Sequence, residues 1–218
     1  MITTYAQLLT ALDAYGFLPL GGKLPIPTLA ALTPPEQWFQ EKREIDPWAW
    51  RMRACSEKDA AYAHLLFGRP TLVSPAWYGV FVCAFADEES LEERYERGEC
   101  DPLMRRIGRL FEERPVWARH DLLGTLGRRE VKTSQFDRAL TALERQMRIT
   151  VSGEVQRIAQ NGAPTGWPSA EYMRVDCFMP DTWPVCTLNR AQAREKITEK
   201  ALENAPQLQK RDIHRMLG

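Results

Sequence analysis

The spacing of the apolar residues changes once in this chain, and that change narrows what it can fold into. Phe136, Leu140, Leu143 and Met147 recur at intervals of four, three and four. On an α-helix these side chains fall within roughly one sixth of a turn of each other. From Ile149 the period drops to two, with Ile149 and Val151 alternating with polar neighbours and Val155 and Ile158 following past Gly153. That is the pattern of a half-buried strand. The stretch from Gln160 to Pro168 holds Asn161-Gly162 and Gly166, which are turn residues. Tyr172, Arg174, Val175 and Cys177 then make a return strand.

Two further helices are predicted before this one. Asp101-Pro102 opens the first, with Leu103, Ile107, Leu110 and Phe111 at helical spacing and Pro115 closing it. Ala118 to Leu126 is the second, with Leu122, Leu123 and Leu126 inward and Gly127 as its stop. A basic turn, Arg128-Arg129-Glu130-Val131-Lys132, leads to Thr133 as N-cap of the third. Helix, helix, helix, strand, turn, strand over 101–179 is the order of a winged helix-turn-helix.

The first hundred residues predict short helices. Thr4 with Gln7 is a capping-box pattern closed by Gly16, and Leu8, Leu9 and Leu12 form a buried stripe. Phe17 to Pro35, rich in Pro and Gly, reads as an ordered loop. Asp46-Pro47 opens a helix through Trp48, Trp50 and Met52. Ser56 opens another over Glu57 to Phe67, and Ser74-Pro75 a third over Ala76 to Ala86. Ser90 with Glu93 is a second capping box. No alternating run there is long enough for a sheet. The tail from Asn189 to Leu217 is helical, charged and broken near Pro206. It either docks on the body or pairs with a second copy as a homodimer, and its sparse apolar residues do not choose. The expected fold is therefore mainly α with a small antiparallel β-hairpin, an α+β winged helix-turn-helix with an N-terminal helical region. Its expected divisions are 1–100, 101–179 and 180–218.

Bulk properties limit the function. Formal charge is zero, from 29 basic and 29 acidic residues, which counts against a protein that coats nucleic acid through net charge. The charge is unevenly spread, however. Asp87 to Glu99 carries seven acids against two Arg, whereas Arg105 to Arg157 carries twelve Lys/Arg against seven Asp/Glu. The five Cys show no CxxC spacing, so no zinc site and no cofactor are expected. Cys83, inside the apolar run Val80 to Phe85, reads as a small buried hydrophobe. No apolar run approaches the roughly 18–20 residues that span a bilayer, so no membrane partner is expected and a reducing cytoplasm is the default location.

In a winged helix the third helix enters the major groove of duplex DNA and its polar face meets base edges and phosphates. Here that face carries Ser134, Gln135, Arg138, Thr141 and Arg145, with Lys132 at its start. Arg presents a planar fork of donors suited to both targets. The hairpin would add Arg157, Asn161 and Trp167. Trp167, between Gly166 and Pro168, either wedges into a groove or folds back to anchor the loop. Among the other aromatic residues, Trp38, Trp77 and Trp117 read as structural, and at least one of Trp48 and Trp50 as core. His64 reads as a packed helix residue, His120 as capping or packing. Of the N-terminal carboxylates that a pocket could use, Asp46, Glu57 and Asp59, the first reads better as an N-cap. The acidic run Asp87 to Glu99 reads as a solvated face.

The string FDRALTALERQMRITVSG, followed by GAPTGWPSAEYMRVD, resembles the small winged-helix protein group related to the AlkZ-type bacterial DNA glycosylases. The earlier pieces ALTPPEQWF, DPWAWRMR and PAWYGVF are similar to the same group, so the resemblance covers about Leu18 to Asp176. It implies a winged-helix fold and a DNA partner. AlkZ-type enzymes excise alkylated bases and unhook interstrand crosslinks, using tandem winged-helix units, a β-barrel and a motif of Gln, an aliphatic residue, then Gln or Asp. The string Gln207-Leu208-Gln209 has that composition but lies in the tail, whereas the family's motif lies near the N-terminus. It reads as a chance match, the chain is shorter than the whole enzyme architecture, and no catalytic residue carries over. Three readings follow: a duplex-DNA-binding winged helix, a protein-interaction or structural module without a nucleic-acid partner, and a reduced glycosylase acting on alkylated bases.

Overall fold

The computed structural model describes residues 1–159 and 161–217; Gln160, where the sequence reading begins the hairpin tip, and Gly218 lie outside the described residues. In chain order the elements are α1 (Tyr5–Tyr15), β1 (Phe17–Pro19), α2 (Leu29–Leu32), α3 (Pro47–Ser56), β2 (Ala61–His64), β3 (Pro70–Val73), α4 (Pro75–Phe85), α5 (Leu91–Glu96), α6 (Pro102–Glu113), β4 (Val116–Ala118), α7 (Arg119–Thr125), α8 (Thr133–Arg145), β5 (Ile149–Val155), β6 (Ser169–Arg174), α9 (Val175–Phe178), α10 (Arg190–Asn204) and α11 (Lys210–Leu217). Two compact units result. One joins 1–86 with 180–218, and the other is 87–179.

The first unit overturns the expected helical N-terminal region. It contains three antiparallel strands in the order β1-β3-β2, with Leu18 opposite Leu72 and Tyr62 opposite Leu72 on the other side. With three more in the second unit the fold is α+β, 51% helix and 13% strand, not mainly α with one hairpin. The helix expected over Glu57 to Phe67 does not form. α3 ends at Ser56, and Lys58 takes φ 62°, left-handed backbone that turns the chain into β2. The amides of Asp59 and Ala60 close the end on the Ala54 carbonyl at 2.9 and 3.1 Å. His64 therefore sits on a strand. Phe17, Leu18, Leu72, Val73 and Ala61 are buried at 1% exposure or less, so these strands are covered on both faces.

Some of the expected caps form, whereas Ser74 heads α4 with no side-chain bond and Ser56 opens no helix. Thr4 accepts from the Gln7 amide, Asp46 from the Trp48 amide, and Ser90 with Glu93 completes a capping box. In the tail, α10 packs against α4 and α11, and Ala193, Ile197 and Ala201 are buried. Among the described residues no helix is long and apolar enough to cross a membrane.

The second unit is built on the amphipathic α6 and α8, which pack together. Met104, Ile107 and Phe111 of α6 face Phe136, Ala139, Leu140 and Leu143 of α8 in one core. Leu122 and Leu126 close it from α7 and the turn behind it, while Leu123 stays half-exposed. The sheet runs β5-β6-β4, all antiparallel, with Val151 and Trp117 on either side of Tyr172. β4 was not foreseen: Val116 to Ala118 precedes α7 and pairs along β6. A register shift between Val151 and Gly153 bends β5. The return strand ends at Arg174, where the single turn α9 begins.

Candidate functional site

The turn between α7 and α8 decides what α8 can present. Gly127 takes φ 88°, left-handed backbone that suits glycine, and Val131 is buried to anchor the turn. α8 begins one residue earlier than the sequence predicts. Lys132 is the N-cap, its carbonyl accepting from the amides of Gln135 and Phe136 at 3.0 Å, and no side chain caps the helix. With the apolar stripe locked inward, Ser134, Arg138, Thr141 and Arg145 fall within an arc of about 60° on the opposite side. Ser134, Gln135, Arg138 and Arg145 are exposed, as is Lys132, and Thr141 is half-buried.

The remaining two expected residues lie beyond the ladder of β5 and β6. Arg157 is exposed, and Trp167 is 91% exposed, so it does not fold back to anchor the loop. The loop is held by bonds among its own residues instead. The Thr165 amide donates to the Arg157 carbonyl at 2.9 Å, and Gln156 Nε2 donates to the carbonyls of Thr165 and Gly166 at 3.2 and 3.1 Å. The Ala163 amide donates to Asn161 Oδ1 at 3.1 Å, an Asx turn. Arg157 and Trp167 thus belong to one braced loop.

Charge divides sharply within this unit. Arg94 pairs with Asp87 at 2.5 Å, Arg97 with Glu89 and Glu99 at 2.6 and 2.7 Å, and Arg105 and Arg109 both with Glu92 at 2.7 and 2.6 Å. The Glu92 carboxyl is held below its ordinary range by the Arg109 hydrogen bond and then by Arg105, and Glu99 by Arg97. Arg148, half-buried beside Asp87, is depressed by burial, and Arg174 pairs with Asp176. Among the described residues, by contrast, no carboxylate lies within ion-pair distance of Lys132, Arg138, Arg145 or Arg157. The acidic run is not simply a solvated face: Asp87, Glu89, Glu92 and Glu99 pair with Arg94 of α5, Arg97 just after it, and Arg105 and Arg109 of α6. The partners of Glu92 come from the next helix, and no local spacing announces them.

The carboxylates considered for a pocket are occupied elsewhere. Asp46 is buried and accepts from the amides of Phe39 and Trp48, both at 2.9 Å. Asp59 accepts from the Tyr5 hydroxyl at 2.8 Å, and Glu57 pairs with Arg53 at 3.0 Å on the surface. A hollow of about 410 Å³ is lined by Lys23, Leu24, Phe67, Gly68 and Arg69, and another of about 360 Å³ by Ala191, Arg194, Glu195, His214 and Leu217. None of the three carboxylates lines either hollow. Gln207 Nε2 donates to the Pro25 carbonyl at 3.1 Å and the Gln209 amide to Asp212 at 3.1 Å, so this string ties the joint between α10 and α11. Among the described residues no group of three or more His, Cys, Asp or Glu is placed to hold a metal ion.

Two features escaped the sequence reading. Phe39, at φ 63° and 71% exposed, sets its ring 5.4 Å from Trp48 at a tilt of 49°, and Trp48 is 41% exposed. Cys83 and Cys186, distant in the chain, lie against each other.

No curated protein and no solved structure is significantly similar to the chain. A family model does match, and it extends past the stretch that carries the resemblance at both ends. Over residues 2–218 the sequence fits the family described as AlkZ related, and the chain belongs to that family.

Proposed function

We propose that residues 87–179 act as a winged-helix reader of duplex DNA, with α8 as the groove helix and the β5–β6 loop as the wing. One observation carries this reading: among the described residues the exposed cations of α8 and the wing lack acid partners, in a unit where seven of the other eleven arginines are ion-paired. An unpaired guanidinium keeps its full attraction for phosphate, whereas a neutralised one does not. Three features support it. The helix-strand-helix-helix-strand-strand order puts α8 second in a helix-turn-helix pair. The uncapped start of α8 leaves its first amides open to a phosphate. Membership of an AlkZ-related family makes a DNA-repair setting the natural context. The contacts fall to Lys132, Ser134, Gln135, Arg138, Thr141, Arg145, Arg157 and Trp167.

The test is duplex binding by the full chain across a salt series. Replacing Arg138 and Arg145 by Ala together weakens affinity at low salt and shallows the slope of log affinity against log salt by about two. An unchanged affinity and slope overturns the reading in favour of a protein-interaction module. Undamaged and alkylated duplexes are run side by side, and release of free base would instead identify a glycosylase.

A further inference from the structure

Gly79 has no Cβ, and the chain returning along α4 uses the space. A Cβ at that position would meet the Pro184 carbonyl oxygen at 3.1 Å and the Cys186 Cβ at 3.2 Å. One helical turn further along α4 stands Cys83. Its thiol donates to the Cys186 carbonyl at 3.5 Å and lies within hydrogen-bonding range of the Cys186 thiol. Both cysteines are half-exposed and neither is in a disulfide. The segment is held there by Trp183, edge-on to Tyr78 at 5.7 Å, and by Arg190 donating to the Ala86 carbonyl.

We propose that Cys83 and Cys186 form a redox modification site, which a low-molecular-weight disulfide such as oxidised glutathione converts reversibly into an intrachain disulfide. Burial, and then the Cys186 hydrogen bond, push the Cys83 thiol up to about 11. Cys186 follows the 86%-exposed Val185 on the segment laid over α4, and the first attack falls to it. The Cys186 thiolate displaces one glutathione thiolate from oxidised glutathione, leaving a mixed disulfide. Cys83 then loses its proton to solvent and attacks the Cys186 sulfur, releasing the second glutathione. Two protein thiols and one oxidised glutathione thus become one protein disulfide and two reduced glutathiones. The product staples the segment after residue 180 to α4.

The full chain is incubated with oxidised glutathione, quenched with acid, alkylated and mapped by mass spectrometry. Cys177, exposed in the structure, serves as the reference for an accessible thiol. The expected result is a Cys83–Cys186 disulfide peptide, lost on reduction, while Cys177 carries a glutathione adduct. In Cys83→Ser the adduct on Cys186 is trapped. Closing so long a loop restricts the unfolded chain, so the oxidised wild type also melts several degrees higher than the reduced. Recovery of Cys83 and Cys186 as free thiols while Cys177 is modified overturns the proposal. So does a stable glutathione adduct on Cys186 in the wild type.

Discussion

Arg119, the first residue of α7, donates to the Asp137 carboxylate of α8 at 2.5 Å. The pair bridges the two helices at the edge of the row formed by Ser134, Arg138, Thr141 and Arg145. With side chains 31% and 52% exposed, it contributes at most about 1 kcal/mol to stability. Its larger effect is on the field beside Arg138. Asp137→Asn removes a negative charge there and releases Arg119. Denaturant unfolding should show a small loss, and duplex affinity at low salt should rise several-fold. Weaker duplex binding by this variant would mean that the row is not the contact face.

Trp167 projects from the loop between β5 and β6 with 91% of its surface exposed, while the loop around it is braced by Gln156 and Asn161. Trp167→Ala should therefore leave stability within about 0.5 kcal/mol of the parent. Its cost should fall on binding, because a bare indole on an exposed loop gains contact only when a partner covers it. Fluorescence anisotropy with labelled duplex should show a clear drop in affinity. Wild-type affinity in a stable variant would remove Trp167 from the interface.

How much of this was legible in the residues depends on whether the signal is local. The caps at Thr4, Asp46, Ser90 and Asp101 could be read because each is a side chain bonding an amide two or three residues on. The stripe of α8 could be read because one face is wet and one is dry. β1, β2 and β3 could not, since each has only three or four residues and is buried on nearly every one, which erases the two-residue alternation. The stop at Lys58 carries no glycine signal. In α10 the packing surface is made by Ala193, Ala201 and Ile197, and two alanines do not mark a helix as docked. Of the site, the cationic face was visible, but its contrast with the paired arginines needed partners from separate helices.

Gly16 closes α1 at φ 80°, its amide donating to the Leu12 carbonyl at 2.7 Å. A Cβ there would lie 2.8 Å from the Trp77 ring. Gly16→Ala thus adds left-handed strain and forces the indole aside, a loss of about 1–3 kcal/mol. Urea unfolding measures it. A neutral or stabilising effect would show that the α1–β1 turn relaxes without cost.

Phe136 has no exposed surface and anchors α8 to the rest of its unit. Phe136→Ala leaves a cavity and should cost about 3–5 kcal/mol. Because the polar face does not use this side chain, residual folded protein should still bind duplex once stabilised by low temperature. Thermal melts followed by circular dichroism give the first quantity. A loss below about 1 kcal/mol would contradict the packing of α8 described above.

Acid sensitivity follows from the paired carboxylates. Arg109 and then Arg105 hold Glu92 below its ordinary range, Arg97 does so for Glu99, and Arg174 for Asp176. A carboxyl whose folded value lies below its unfolded one adds stability that is complete above the unfolded value, and that stability disappears as pH falls through the folded value. These groups therefore leave stability level near neutrality and lower it progressively below about pH 4. Glu92→Gln cannot lose a charge on acidification. Urea midpoints for it and the parent should differ at pH 7 and converge in acid. A gap that persists undiminished at low pH would mean that Glu92 acts through packing or hydrogen bonding, with no contribution from its charge.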